Sequence, residues 1–201
     1  MTNPWDERFA ASGFAYGEAP NDLLVAQVGA LPRPGPILSL AEGEGRNGVW
    51  LAQQGFDVTG VDGSAVGLAK AARLAAARGV ALTTVHADLA TYDPGEAAWG
   101  GVVSIWCHLP PALRATVLAR VARAVRPGGV VLFEHYHPRQ VPYRTGGPPD
   151  PAWMLTLDEL GAAFPGWAVL HAMEGERQVH EGALHAGLSF VTQFVARRPS
   201  D

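Results

Sequence analysis

Short apolar runs alternate with amphipathic or alanine-rich stretches through the middle of the chain. Short apolar runs predict buried strands, and longer stretches with apolar residues at helical spacing predict helices. We therefore predict five strands, at residues 37–41, 57–61, 82–86, 102–106 and 130–134. Helices are predicted between them at residues 47–54, 64–78 and 111–126. Strands that alternate with helices of this length predict a doubly wound α/β fold, a parallel sheet with helices on both faces.

The last fifty residues have a different pattern. Thr156 and Glu159 have the spacing of a capping box at the start of a short helix, which Pro165 ends. Two apolar runs, 168–173 and 188–196, follow without a helix between them. They predict an antiparallel pair of strands, with residues 174–187 as their connection.

Length and charge limit the classes of function. With 201 residues, the chain is long enough for one domain, predicted to span residues 1–201, and too short for two of usual size. A net charge of −4 gives no electrostatic reason to expect nucleic acid as a partner. No apolar run is long enough for a membrane span or a secretory signal, so we expect no membrane partner and a cytoplasmic location. We expect a monomer or a weak homodimer.

A glycine-rich loop joins the first predicted strand to the first predicted helix. It has the sequence Ala41-Glu42-Gly43-Glu44-Gly45-Arg46-Asn47-Gly48. Its glycines allow a sharp turn and a close approach of a ligand to the start of the following helix. Asp62 stands nineteen residues after Gly43, at the end of the second strand, where an acid that binds ribose is expected. Asp88 and Leu89 end the third strand and are placed to contact an adenine ring.

The same loop also satisfies the G-x-G-x-x-G fingerprint of enzymes that bind nicotinamide dinucleotides, through Gly43, Gly45 and Gly48. Its charges oppose that interpretation, because Glu42 and Glu44 would lie near an anionic pyrophosphate. Each close like-charge pair costs about 1 kcal/mol even in bulk water. S-adenosylmethionine carries a sulfonium and an ammonium cation and no phosphate. We therefore favour S-adenosylmethionine as the ligand, and an NAD(P)-dependent reductase is the weaker alternative.

These segments together resemble a class I S-adenosylmethionine-dependent methyltransferase. The resemblance rests on residues 41–45, Val61-Asp62, Ala87-Asp88-Leu89, residues 102–106 and Arg126-Pro127-Gly128-Gly129. The opening Trp5-Asp6-Glu7-Arg8-Phe9 and the Gly45-Arg46-Asn47 run are similar to a small bacterial subgroup related to the tellurite-resistance methyltransferases. The resemblance implies a Rossmann-like seven-stranded sheet of order 3-2-1-4-5-7-6, whose last strand is antiparallel.

The resemblance also implies which residues bind the cofactor. A helical N-terminal segment, residues 1–30, is expected to cover it. Glu42 replaces the aspartate that many members of the family have, so its binding role carries over and its geometry does not. The expected cofactor-binding residues are Tyr16, Glu42, Gly43, Glu44, Gly45, Asn47, Asp62, Gly63, Ser64, Asp88, Leu89 and Trp106.

Three histidines near the predicted sheet edge are the candidate catalytic residues: His108, His135 and His185. Methyl transfer depends mainly on alignment, and a general base is needed only if the acceptor loses a proton. His108 fits two roles equally well, a base or a residue at the start of a helix that the backbone satisfies. His135 and His137 could share a face, yet no further ligand has metal-site spacing, so we predict no metal.

The acceptor is expected to be a small molecule such as a thiol or a chalcogen oxyanion. The resemblance places basic residues in the late hairpin, where this chain has Glu181, and that argues against anionic tellurite. Residues 138–155 are rich in proline and glycine and are interpreted as a loop on the substrate side, acting as a lid. The alternative function is a binder of S-adenosylmethionine or S-adenosylhomocysteine without catalysis.

Overall fold

Seven strands form one mixed sheet in the computed structural model, which describes residues 3–182 and 184–200. They are β1 (Pro36–Leu40), β2 (Asp57–Asp62), β3 (Thr83–His86), β4 (Trp99–Ile105), β5 (Val125–Tyr136), β6 (Ala168–Glu181) and β7 (His185–Arg197). Their order is β3-β2-β1-β4-β5-β7-β6. β7 runs antiparallel to both of its neighbours, and the remaining pairs are parallel. The predicted Rossmann-like fold is confirmed.

Six α-helices surround this sheet in the described part of the chain: α1 (Pro4–Phe9), α2 (Asp22–Gln27), α3 (Arg46–Gln53), α4 (Ala65–Ala77), α5 (Pro111–Ala124) and α6 (Leu157–Ala163). Short 3₁₀ helices occur at Val28–Ala30, Pro138–Tyr143 and Pro151–Trp153. The predicted capping box at the start of α6 is confirmed, because Thr156 and Glu159 each accept a hydrogen bond from the other's backbone N–H. None of these helices has the length and apolar character needed to cross a bilayer.

The predicted connection between the last two strands, residues 174–187, was wrong. β6 and β7 pair as far as Glu181 opposite His185, so both strands run through that segment. Charged residues such as Arg177 are typical of a solvated turn, yet here Arg177 and Glu181 form ion pairs that bury their charges. Ala183 lies outside the described residues, as do Met1 and Thr2 of the predicted N-terminal segment and Asp201.

β5 begins earlier than predicted. The run Arg126–Gly129, which precedes the strand predicted at residues 130–134, lies within β5 as an irregularity of the pairing. Trp99 pairs with Val125 and Gly101 pairs with Val130, so β5 holds extra residues between those two positions. Because Gly128 has a φ of +74°, this bulge needs glycine.

Both faces of the sheet are buried, since neighbouring residues of a strand point to opposite faces. On one face, Leu38 packs in a cluster with Val121 of α5 and Leu160 of α6. On the other face, Ile37 packs with Leu51 of α3. This burial on both sides explains why the central strands read as continuous apolar runs in the sequence.

The β6–β7 hairpin extends past the carboxyl edge of the sheet. β5 pairs with β7 only as far as Tyr136 opposite Val191, whereas β6 and β7 continue to Glu181 and His185. The carboxyl ends of β1, β2, β4 and β5 meet at the same edge because these strands are parallel. The overhanging hairpin therefore places its tip beside the loops where ligands bind in folds of this kind.

Candidate active site

The glycine loop after β1 adopts a conformation that requires its glycines. Gly43 and Gly45 have φ values of +59° and +96°, in the left-handed region. A Cβ on Gly45 would also lie 2.7 Å from the Cα atom of Ala71 in α4, and a Cβ on Gly43 would lie 3.2 Å from the Phe9 ring. Gly45 thus allows α3 and α4 to pack closely, which positions the amino end of α3 at the sheet edge.

Glu42 provides a buried carboxyl group within this loop, with only 7% of its surface exposed. Its Oε1 accepts a hydrogen bond from the N–H of Gly48 at 2.7 Å. Its Oε2 is buried and has no hydrogen-bond partner among the described residues. Burial, with a smaller contribution from the charge of Asp62, raises the pKa of Glu42 to about 7. A cation beside Oε2 would both satisfy this atom and favour the ionised carboxylate.

The raised pKa of Glu42 predicts a pH-dependent stability. A folded-state pKa of about 7, against 4.5 in the unfolded chain, means that Glu42 stabilises the fold below pH 4.5 and loses this effect as pH rises through 7. We expect Glu42→Gln to match the parent protein near pH 5 and to exceed its unfolding free energy by about 3 kcal/mol at pH 8, without ligand. Urea unfolding across this pH range checks it.

The control for this experiment is Glu18→Gln, because Glu18 is exposed and forms a surface pair with Arg78. Its unfolding free energy should follow that of the parent protein at every pH. A constant difference between Glu42→Gln and the parent protein from pH 5 to pH 8 would contradict the raised pKa.

Asp62 fastens the glycine loop to the end of β2. Its Oδ2 accepts from the N–H of Gly43 at 2.8 Å, and its Oδ1 accepts from the N–H of Ser64 at 2.7 Å. Burial raises the pKa of this carboxyl group, and these two hydrogen bonds oppose the rise. Each carboxylate oxygen can accept a further hydrogen bond, so Asp62 remains chemically able to bind a ribose hydroxyl.

Glu44 is held by protein groups on both of its oxygens. Oε1 forms an ion pair with Lys70 Nζ at 2.7 Å, and Oε2 accepts from the N–H of Ala15 at 2.7 Å. Lys70 also donates to the carbonyl of Gly13 at 2.6 Å. Glu44 was expected, together with Glu42, to lie near a pyrophosphate and oppose its binding. Because Lys70 compensates the charge of Glu44, this expectation now rests on Glu42.

Two other predicted cofactor residues also contact the protein itself. Asn47 Oδ1 accepts from the N–H of Asn21 at 3.0 Å. Asp88 is exposed, and its Oδ1 accepts a hydrogen bond from the N–H of Ala90 at 2.8 Å. This hydrogen bond stabilises the turn in which Asp88 itself lies. Leu89 packs against the core on the α5 face. Binding of a cofactor by these side chains remains a prediction.

The N-terminal segment lies across the glycine loop. Asp6 in α1 accepts a hydrogen bond from Ser64 Oγ, and the ring of Phe9 lies against Gly43. Tyr16 reaches the far side of the site, where its ring is 4.6 Å from that of His185, between ring centroids. The segment thus occupies the position predicted for a cofactor cover, and whether it covers a cofactor stays a prediction.

An aromatic cluster stands at the carboxyl ends of β4 and β5. The Trp106 ring stacks on that of Tyr136 at 4.3 Å. His185 packs edge-on against both rings, at 5.2 Å from Trp106 and 5.3 Å from Tyr136. We call these three residues, with Tyr16, the aromatic cage.

Among the described residues, the buried His185 Nδ1 of the cage has no hydrogen-bond partner, and the buried Tyr136 Oη interacts only weakly with the side chain of Ser189. Burial raises the pKa of the Tyr136 phenol and lowers the pKa of His185 to about 3, so both side chains are neutral at physiological pH. Gly146, in the predicted substrate-side loop, lies directly over both groups, and a Cβ there would collide with the Tyr136 hydroxyl. This loop is fastened to β7 by a hydrogen bond of 2.7 Å between the hydroxyls of Thr145 and Ser189.

The other two candidate histidines, His108 and His135, are not part of the aromatic cage. His108 Nε2 accepts from the N–H of Tyr136 at 3.2 Å, which leaves Nδ1 as the donor to the Trp106 carbonyl at 2.9 Å. Both ring nitrogens are therefore used by the backbone, and burial lowers the pKa of His108 to about 4. His135 lies on the opposite face of β5 from Tyr136, where Ser104 Oγ is 3.4 Å from its Nε2. No group of three or more potential metal ligands occurs within residues 3–182 and 184–200.

A buried ion-pair network adjoins the cage and was not predicted. Arg46 pairs with Glu181, whose carboxylate also accepts from the indole N–H of Trp106. Arg177 pairs with Glu181 at 2.8 Å and with Glu134 at 2.5 Å. Burial raises the pKa of Glu134 to about 7, although Arg177 opposes the rise. For Glu181, the effect of burial is outweighed mainly by Arg46, and its pKa is lowered.

Residues 37–129 match the family model described as a methyltransferase domain. The match covers 93 of the 201 residues, so the chain is similar to methyltransferases over this segment. No curated protein matches the sequence significantly. The matched residues contain the glycine loop, Asp62, Asp88 and the carboxyl end of β4.

Solved structures share the fold of this chain at low sequence identity. One, described as converting a disulfide bond into a thioacetal group during echinomycin biosynthesis, has a TM-score of 0.75 and 22% identity, over 98% of this chain and 88% of its own. TehB from Haemophilus influenzae has a TM-score of 0.72 and 19% identity, over 88% of this chain and 61% of its own. A didemethyltoxoflavin N1-methyltransferase from Burkholderia thailandensis, with S-adenosylhomocysteine bound, has a TM-score of 0.60 and 23% identity, over 88% and 75%.

Proposed function

We propose that the enzyme transfers the methyl group of S-adenosylmethionine to a small-molecule acceptor at the carboxyl edge of the sheet. One observation carries the proposal: the glycine loop holds a buried carboxyl group, Glu42, with one oxygen unpartnered within the described chain. The ammonium of the methionine part is a donor that fits this oxygen. When bound, the cofactor supplies a methyl group activated by a sulfonium.

The remaining cofactor contacts are assigned by their place along the sheet edge. Asp62 binds the ribose hydroxyls, and the backbone of Gly43, Gly45, Gly63 and Ser64 lines the ligand. Trp106 forms the boundary between cofactor and acceptor. Tyr16, with the rest of the N-terminal segment, covers the cofactor and excludes water. The protein's own contribution to the rate is then alignment of the acceptor with the methyl group.

A small acceptor is supported by how the site is enclosed. The hairpin tip contacts the N-terminal segment at Tyr16, and Thr145 of the loop at residues 138–155 contacts β7 at Ser189. The Burkholderia relative has a small heterocycle, 1,6-didemethyltoxoflavin, bound in its structure. Residues 138–155 are proposed as the segment that opens to admit the acceptor. A cytoplasmic location and a monomeric or weakly dimeric state stay predictions.

Calorimetric titration separates this function from its rivals. We expect S-adenosylmethionine and S-adenosylhomocysteine to bind and NADH not to bind. Micromolar binding of NADH without binding of S-adenosylmethionine would favour the reductase. Binding of S-adenosylmethionine, without methylation of any thiol, chalcogen oxyanion, phenol or amine in a broad screen, would favour the non-catalytic binder.

Asp62→Ala tests the proposed ribose contact. Loss of a hydrogen bond to a charged group should weaken cofactor binding by about 1.5–3 kcal/mol. Asp57→Ala is the matched control, because Asp57 is exposed at the opposite end of the same strand. Thermal unfolding is measured alongside, since Asp62 also holds two loop amides. A stable Asp62→Ala protein with unchanged affinity would show that the ribose binds elsewhere.

A further inference from the structure

The arginines nearest the aromatic cage are already occupied by carboxylates. Arg177 donates to Glu134, Glu181 and Asp22. Arg46 donates to Glu181 and to the carbonyl of Ala19. An oxyanion acceptor needs free cationic donors, and a guanidinium that is paired on both of its terminal nitrogens has few left to offer.

Arg8 is a third arginine near the cage, and it lies on the exposed side of the N-terminal segment. Its Nη1 donates to the Tyr16 hydroxyl at 2.9 Å, and its guanidinium lies over the Trp5 ring. A solvated guanidinium of this kind gives an anion little binding energy. The charges of Arg46 and Arg177 are balanced by those of Glu181 and Asp22 together with the ionised fraction of Glu134, so the wall of the cage has no net positive charge.

The free polar groups of the cage are neutral. Tyr136 Oη can donate a hydrogen bond and His185 Nδ1 can accept one, and the centroids of the two rings are 5.3 Å apart. His185 Nδ1 has no hydrogen-bond partner within the described chain, and Tyr136 Oη interacts only weakly with the side chain of Ser189. A donor beside an acceptor complements a group that has both a lone pair and a proton. The Trp106 and Tyr16 rings complete walls that suit an uncharged organic molecule.

We propose that the methyl acceptor is an uncharged molecule with a thiol or hydroxyl group, held between Tyr136 Oη and His185 Nδ1, and not a chalcogen oxyanion. This inference rests on the proposed methyl transfer. The acceptor's sulfur or oxygen forms a bond to the methyl carbon as the bond from that carbon to the sulfonium breaks. The sulfonium thereby becomes the neutral thioether of S-adenosylhomocysteine, and the acceptor becomes a methyl thioether or a methyl ether. The acceptor's proton passes to His185 Nδ1 and then to water.

The substrate-side loop sets how the acceptor reaches this pair. Gly146 lies against Tyr136 Oη and the His185 ring, and Gly147 lies against the Tyr136 ring. Access therefore requires the loop to lift, and the contact between Thr145 and Ser189 is where it must separate from β7. A site closed in this way favours an acceptor of modest size.

The first test compares acceptor classes on the full chain. S-adenosylmethionine binding is measured first by calorimetry, and its failure would overturn the proposed function and with it this inference. With binding established, methylation of 1-propanethiol, phenol, tellurite and selenite is measured. We expect kcat/KM for a neutral probe to exceed that for either oxyanion by at least about tenfold. Faster methylation of tellurite or selenite, or methylation of none of the four, overturns the inference.

The second test assigns the contact to the cage. We expect Tyr136→Phe to weaken binding of phenol to the protein loaded with S-adenosylhomocysteine by about tenfold, measured by tryptophan fluorescence. Affinity for S-adenosylhomocysteine should not change, and thermal stability should change little, since the lost hydroxyl interacts only weakly with the side chain of Ser189 within the described chain. Tyr92→Phe, a phenol outside the cage, is the matched control. Unchanged phenol binding in Tyr136→Phe would place the acceptor elsewhere.

Discussion

Gly45→Ala is expected to destabilise the protein by about 2–5 kcal/mol. The left-handed conformation of Gly45, with φ +96°, costs about 1–2 kcal/mol for any residue with a Cβ. The added methyl group would also lie 2.7 Å from Ala71 Cα, and a rigid helix backbone cannot move aside without cost. Overpacking of this kind adds about 1–3 kcal/mol. Denaturant unfolding of both proteins measures the difference.

Gly79→Ala separates the two causes. Gly79 also has a positive φ, +68°, but a Cβ there would meet nothing within 4 Å. We expect the unfolding free energy of Gly79→Ala to fall by only about 1 kcal/mol, the cost of the backbone conformation alone. Equal losses in the two variants would mean that the close packing of α3 on α4 does not constrain the loop.

Among substitutions in the buried ion-pair network, Arg177→Met is expected to lower the unfolding free energy most. It leaves Glu134, which has no exposed surface, without a cationic partner. Breaking a buried ion pair in this way costs about 3–5 kcal/mol. Arg78→Met is the control, because Arg78 and Glu18 form an exposed pair whose loss should cost about 1 kcal/mol or less.

The pH dependence of the stability of Arg177→Met shows whether the unpaired Glu134 causes the loss. The pKa of Glu134 is about 7 even with Arg177 present, and loss of Arg177 raises it further. This folded-state pKa lies above the unfolded value. The loss of unfolding free energy in Arg177→Met, relative to the parent protein, should therefore be largest at pH 8 and shrink towards pH 5, where Glu134 is protonated. Adding Glu134→Gln should restore most of the stability at pH 8. A deficit that is unchanged by pH and by Glu134→Gln would assign the loss to packing.

The fold could be predicted because its signals are local in the sequence. Each central strand is a short apolar run, and Pro165 and Gly79 mark helix ends. The position of Asp62 could be inferred in the same way, since the carboxyl ends of parallel strands meet at one edge. Asp62 Oδ2 accepts a hydrogen bond from the N–H of Gly43 at 2.8 Å, because β1 and β2 are parallel neighbours whose carboxyl ends lie side by side.

The charge network could not be predicted, because its partners are distant along the chain. Arg46 and Glu181 are separated by 135 residues, and Glu44 and Lys70 by 26, so no local pattern pairs them. The sequence did contain one unused signal. Side chains alternate along a strand, so Glu134 and Tyr136 must share a face of β5 and His135 must take the other.

The contact between Asn21 and Glu181 sets when the site can be completed during protein synthesis. Asn21 Nδ2 donates to Glu181 Oε1 at 2.8 Å, across 160 residues of chain. A nascent chain therefore cannot close its N-terminal segment until β6 has left the ribosome. Until then Asn21, Arg46 and Trp106 lack the carboxylate that they share. A chain truncated before Glu181 would lack this carboxylate and all of β7, so it could not assemble the site.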